Sequence, residues 1–306
     1  MNQFMVYFAW FSVICFFVGS FLKLLKINNM PLHLRAELYP VVHDSKYSYG
    51  GSYMEDVNYV EEVRKGLKNV WVNDIIEILR EVLFLDRVSE YNIYGLWFPS
   101  LLLHWGLYIL FGWIFLSVFS VFWPFYFLIQ LSSIFGILAG IFGVLGSFIL
   151  ILRRIFSQEL RIYTTPLDFF NLFLLLFMFL ATLSTFLFDA NHDILKYLGS
   201  VISFRSVNVS NFVIVQFLLF QFFLFYFPFS KYMHAPIKYW TWHAIMWDDA
   251  LTMKGNKQDL ILQEQLKYKQ YWAAPHAIPG ASWAEVATNL KVEERGNNNG
   301  NKKTTL

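Results

Sequence analysis

The sequence predicts an all-α, polytopic membrane protein built on five transmembrane helices. Hydrophobic residues make up 57% of the 306, aromatics 20% and charged residues only 15%, which is too apolar for a soluble domain with its large polar surface. Charge-free runs cover residues 1–22, 91–152, 169–188 and 206–230, and about 20 mainly apolar residues suffice to cross the bilayer hydrocarbon. The second run is long enough for two helices, and Pro124, beside Phe122 and Trp123, marks the hairpin between them.

Residues 1–22 read either as a signal peptide or as a retained span. No Lys or Arg precedes the apolar stretch, no small-residue cleavage motif follows it, and Lys23 and Lys26 lie on the wrong flank, so a transmembrane helix is expected. Residues 23–90 form a loop on the inner side. In it Trp71, Ile75, Ile78, Leu79 and Val82 recur at helical spacing while Asp74, Glu77, Arg80 and Glu81 fall between them. That pattern describes an amphipathic helix, lying on the membrane surface or packed on a partner. Helices two to four occupy 91–188, an outer loop 189–209, and the fifth helix 210–234. The tail, 235–306, carries Trp240, Trp242, Trp247, Trp272 and Trp283 among polar residues and reads as ordered over another protein, until the Asn-rich end from Gly296 becomes disordered. There is no internal repeat.

Basic residues orient the chain. Segments 23–90, 153–168 and 231 onward would share one side and hold 9, 3 and 10 Lys plus Arg, whereas the N-terminal segment has none and the loop 189–209 has two. The positive-inside bias therefore places the N-terminus out and the C-terminus in. The net charge of +2 adds nothing further, and no basic block points to nucleic acid. The single cysteine, Cys15, falls inside the first span. The chain thus has neither a CxxCH motif for covalent haem nor thiolates for an iron–sulfur cluster, and any such cluster belongs to another subunit.

Two histidines carry the chemical signal. His104 stands in Leu101-Leu102-Leu103-His104-Trp105-Gly106, roughly 12 Å into the second span at about 1.5 Å per residue. A polar side chain at that depth either hydrogen-bonds to a neighbouring helix or coordinates. His234 closes the fifth segment near the same membrane face; alone it would read as an interfacial residue. A neutral imidazole nitrogen is a strong ligand for haem iron, so a histidine pair on facing helices is a means of holding one b-type haem. In the third span Gly136, Gly140, Gly143 and Gly146 share one sector of the helix. Such a stripe serves helix packing or the close approach of a macrocycle. Arg153 and Arg154, at the inner end of that helix, are either propionate partners or positive-inside anchors.

The segment Phe227-Pro228-Phe229-Ser230-Lys231-Tyr232-Met233-His234 resembles the fifth-helix motif of the gamma, cytochrome b subunit of respiratory nitrate reductase, a five-helix protein with its C-terminus inside. A closer resemblance covers nearly the whole chain. It runs through the Pro31-to-Pro40 block, the Tyr49-to-Asp56 block, Tyr271-Trp272-Ala273-Ala274-Pro275-His276 and Ser282-Trp283-Ala284-Glu285-Val286-Ala287-Thr288. These are similar to the cytochrome b subunits of menaquinol-linked complexes in sulfate- and sulfur-metabolising microbes. That resemblance implies haem b, menaquinone as substrate, and the cytoplasmic membrane of a bacterium or archaeon. It also implies a cytoplasmic iron–sulfur partner similar to the catalytic subunit of heterodisulfide reductase, with further redox subunits in the complex. The nitrate reductase family stacks two haems, the second held ten residues after the first histidine of helix two and eighteen before the last of helix five. Those positions here are Ile114 and Gln216. The resemblance therefore implies a single haem on His104 and His234.

With one haem near the inner face, quinone chemistry is expected on that same side, since electrons from the outer face would have to cross most of a core about 30 Å thick. His33, Arg35, Glu37 and Tyr39 are the quinone candidates, being proton-active and close to an inner helix end. Three function classes stand: a redox subunit between menaquinone and an iron–sulfur partner, a membrane anchor with a structural haem, and a haem-free transporter. The third lacks the intramembrane charges and interrupted helix pairs typical of substrate pathways.

Overall fold

The computed structural model describes residues 3–30, 70–90, 92–188, 191–238, 254–255, 257–272 and 279–288. Its helices are α1 Gln3–Asn28, α2 Val70–Phe84, α3 Asp86–Glu90, α4 Trp97–Phe122, α5 Tyr126–Phe156, α6 Gln158–Tyr163, α7 Pro166–Phe188, α8 Asn191–Ile202 and α9 Asn211–Tyr226. Two 3₁₀ turns, Phe227–Phe229 and Lys231–Met233, lead into α10 His234–Lys238, and α11 Lys257–Gln265 and α12 Trp283–Thr288 follow. Among the described residues the one β pairing is an isolated antiparallel bridge between Lys269 and Ser282. The chain is all-α. Five helices, α1, α4, α5, α7 and α9 with its following turn, are long and apolar enough to cross a membrane.

The described residues fall into two compact units, one holding α1 and everything from Val70 to Lys238, the other the residues from Lys254 on. In the first, α4 turns into α5 over Trp123, Pro124 and Phe125. The Trp123 N–H still reaches the Phe119 carbonyl at 3.0 Å, but Pro124 has no N–H with which to continue the ladder. The two helices then run back together with backbones in contact. A Cβ on Gly106 would lie 2.7 Å from the Gly143 nitrogen, and one on Gly146 would lie 2.5 Å from the Leu103 nitrogen, so both positions require the smallest residue. Nearer the hairpin the buried hydroxyls of Ser117 and Ser132 share a hydrogen bond of 2.7 Å.

Helix α7 packs on α5, α9 on α7 and α1, and α8 on α4 and α1. Leu110, Trp113, Ala139, Met178, Phe179, Val213, Phe217 and Phe223 form the buried centre. Phe115, Phe127 and Phe177 point outward and are exposed, as expected where the solvent is hydrocarbon and burial inside the bundle brings no hydrophobic gain.

Two boundaries differ from the sequence expectation. Helix α1 continues to Asn28, past Lys23, because the Lys23 ammonium finds the Pro228 carbonyl at 2.8 Å. Residues 189–209, expected as a loop, contain α8, whose Ile194, Tyr197 and Leu198 are buried. It is tied down by the Trp10 indole donating to Val201 O at 2.9 Å and by the Gln221 amide donating to the Tyr197 hydroxyl. Burial pushes the Tyr197 hydroxyl above its ordinary pKa, so it remains a neutral partner. The amphipathic helix expected near Trp71 is α2, with Ile75, Ile76, Leu79 and Val82 exposed along one side.

The second unit is small. Gln270 N–H donates to Ala281 O at 3.0 Å, Gly280 N–H to Gln270 O at 2.7 Å, and the Trp272 and Trp283 rings meet at 6.2 Å. Ser282 and Glu285 cap α12 reciprocally, the Glu285 carboxylate accepting from Ser282 N–H at 2.7 Å and the Ser282 hydroxyl from Glu285 N–H at 3.3 Å. Trp240, Trp242, Trp247 and the Asn-rich end lie outside the described residues.

Candidate metal centre

His104 is the eighth residue of α4 and is half-buried. Its Nδ1 lies 2.7 Å from the Ser100 carbonyl, one turn earlier. A carbonyl only accepts, so Nδ1 carries the proton, and in the neutral ring Nε2 is left with its lone pair. His234 opens α10 and is exposed, and its Nδ1 lies 2.9 Å from the Lys231 carbonyl. The same reasoning leaves the same nitrogen. This is the arrangement by which a ligating histidine is oriented: one ring nitrogen donates to a carbonyl and the other is presented to a metal.

The two rings lie edge-on to one another, with centroids 6.0 Å apart and planes at 86°. Two imidazoles bound on opposite sides of one metal, with metal–nitrogen bonds of about 2 Å, have centroids roughly 6 Å apart. Among the described residues there is no cluster of three His, Cys, Asp or Glu. Haem supplies four nitrogens of its own and asks the protein for two axial ligands, so the residues present fit it.

His234 owes its position to a tightly held segment. Pro228 sits against Gly19 of α1, where a Cβ would come within 2.9 Å of the proline ring. Lys231 reaches Asp168 Oδ1 at 2.7 Å, and the Tyr232 hydroxyl donates to the Asn171 carbonyl at 2.7 Å, both at the start of α7. Met233 is fully buried.

The His104 side is fixed differently. Three side chains of the α4 segment donate to the last carbonyls of α2: Trp97 Nε1 to Phe84 O at 2.8 Å, Trp105 Nε1 to Leu83 O at 2.9 Å, and Tyr108 to Val82 O at 2.8 Å. These carbonyls have no partner inside their own helix. Tyr108 also packs on the His104 ring, with centroids 6.3 Å apart. Glu81, buried in the preceding position of α2, pairs with Lys238 of α10.

The remaining sequence candidates are placed as follows. Gly136, Gly140 and Gly143 seat Phe186, Leu183 and Phe179 of α7: a Cβ would lie 2.0 Å from the Phe186 ring, 3.0 Å from Leu183 Cβ and 2.1 Å from the Phe179 ring. On these sectors the stripe serves helix packing, the first of the two roles open to it. Arg153 is exposed with its guanidinium against Gly95, and Arg154 is half-buried, with Nη1 3.4 Å from Leu150 O and Asp168 within electrostatic reach. His33, Arg35, Glu37 and Tyr39 lie outside the described residues. Sequence reasoning missed Tyr108, Glu81, Lys238, Asp168 and Asn171; spacing of four residues beyond each histidine was the available signal for two of them.

Further along α4, and in the first half of α9, Ile114 is half-buried and Gln216 is 1% exposed, with no hydrogen-bond partner for either Gln216 amide atom. Trp113 packs on Phe186 and Phe217 at 5.6 and 6.0 Å, and Phe217 on Tyr197 at 4.2 Å. Comparison with known proteins finds no family model and no curated protein that matches this chain.

Proposed function

We propose that this chain is the membrane cytochrome b subunit of a respiratory redox complex, carrying one haem b between His104 and His234. The single observation that carries the reading is the pair of imidazoles 6.0 Å apart, each with Nδ1 committed to a carbonyl. When bound, the haem would supply a one-electron store between menaquinol and a cytoplasmic iron–sulfur subunit similar to the catalytic subunit of heterodisulfide reductase. The chain's own residues would do the rest. Ser100 and Lys231 fix the ring tautomers, α7 and α1 hold the His234 segment, and Ile114 and Gln216 offer no second axial pair. The basic-residue bias supports the N-terminus out and the C-terminus in, with both histidines near the inner face.

The test is spectroscopic. The purified chain should show a low-spin b-type reduced-minus-oxidised spectrum with about one haem per chain, and a menaquinol analogue should reduce it. A chain without haem would defeat the reading. Haem that no quinol reduces would leave a membrane anchor in place of an electron carrier.

A further inference from the structure

Tyr108 follows His104 by one turn of α4, and Lys238 follows His234 by one turn of α10. Residues four apart share a helix face. Each of these two side chains reaches α2, and they meet it at consecutive residues: Tyr108 donates to the Val82 carbonyl at 2.8 Å, and Lys238 pairs with Glu81. One turn of α2 is thus gripped from both sides by residues lying on the histidine faces. The grip is not needed merely to finish α2, since water or a polar cap would satisfy its last carbonyls. A buried carboxylate is costly unless it is paired, and Glu81 is buried and makes an ion pair with Lys238. Glu81 therefore holds Lys238, and with it α10, in place.

We propose that this turn of α2 is a brace that sets the spacing of His104 and His234, with Glu81, Lys238 and Tyr108 as positioning residues for the metal centre. Its consequence for a bound haem rests on the function proposed above; the brace itself rests on the contacts. The ligands come from elements far apart in sequence, and α2 is the element that hydrogen-bonds beside both.

The experiment uses the full chain in nanodiscs with Glu81→Gln, Lys238→Met, Tyr108→Phe and the charge exchange Glu81→Lys/Lys238→Glu. Hydrogen exchange, which needs no haem, should become roughly tenfold faster at residues 231–238 in Glu81→Gln and return toward the parent rate in the charge exchange. Where haem is bound, the single variants should keep their haem count yet shift the low-spin electron paramagnetic resonance signature and the midpoint potential, again with recovery in the charge exchange. Folded variants with unchanged exchange rates and unchanged spectra overturn the brace. A parent chain without haem removes the cytochrome reading alone, and exchange at 231–238 then decides the brace by itself.

Discussion

Helix α4 and the segment from α9 to α10 are used in opposite ways along their lengths. At the histidine end, polar side chains are paired one by one: Lys231 with Asp168, Tyr232 with Asn171, Lys238 with Glu81, and each Nδ1 with a carbonyl. Further from the histidines Trp113, Phe186, Phe217 and Tyr197 pack together, and the Gln216 amide is buried without a hydrogen-bond partner. The same two segments therefore carry two imidazoles with Nδ1 committed to a carbonyl in one stretch and packed aromatic rings in the other. A metal ligand needs more than a histidine in the right register. It needs surroundings that settle the ring's tautomer and leave one nitrogen reachable.

The sharpest way to break this comparison is to remove either ligand. His104→Ala or His234→Ala should abolish the low-spin haem spectrum entirely, whereas changes at Gln216 should leave it intact; a histidine variant that keeps the spectrum loses its place in the ligand set. Next in size is the packing that aligns the two stretches. Gly143→Ala drives a methyl into the Phe179 ring and should cost about 1–3 kcal/mol, read as a lower unfolding midpoint in detergent. An unchanged midpoint would show that α7 yields at no cost. Gln216→Leu should stabilise the bundle by about 1 kcal/mol, because a buried amide without a partner is replaced by an apolar side chain of similar size. Destabilisation in the same assay would mean that the amide is satisfied by bound water. The smallest effect is expected from Ile114→His/Gln216→His. The packed aromatic rings leave no room for a macrocycle, so the pyridine haemochrome ratio should not rise, and a doubled ratio would show the two stretches to be interchangeable.

The sequence made the five spans legible because each is an uninterrupted apolar window, and Pro124 gave the hairpin directly. Helix α8 was equally readable, since Ile194, Tyr197, Leu198 and Val201 follow helical spacing, but the charged residues Asp193 and Lys196 interrupt the apolar signal that spans announce. Depth singled out His104, while His234 was read as its partner only through their shared membrane face and the resemblance. The tautomers of the pair were not legible, because Ser100 and Lys231 act through backbone carbonyls that any residue would supply. The glycine stripe showed a face of α5 without showing its occupant, since only the approach of α7 places Phe179, Leu183 and Phe186 there. Glu81 and Lys238 were invisible for a similar reason: 157 positions separate them, and nothing local distinguishes a paired carboxylate from a solvated one. The four quinone candidates fall outside the described residues, so the structure neither gathers nor disperses them.

The seating of Pro228 against Gly19, with Lys23 of the same helix on its carbonyl, bears on biogenesis. The segment that delivers His234 emerges from the ribosome after the other four spans and is clasped by the first of them. Until that clasp forms, His104 stands alone, so a nascent chain halted before the fifth span has no two-sided ligand site to offer. Completion of the imidazole pair thus coincides with closure of the bundle, and a cofactor demanding both nitrogens would be retained only by chains whose insertion had finished.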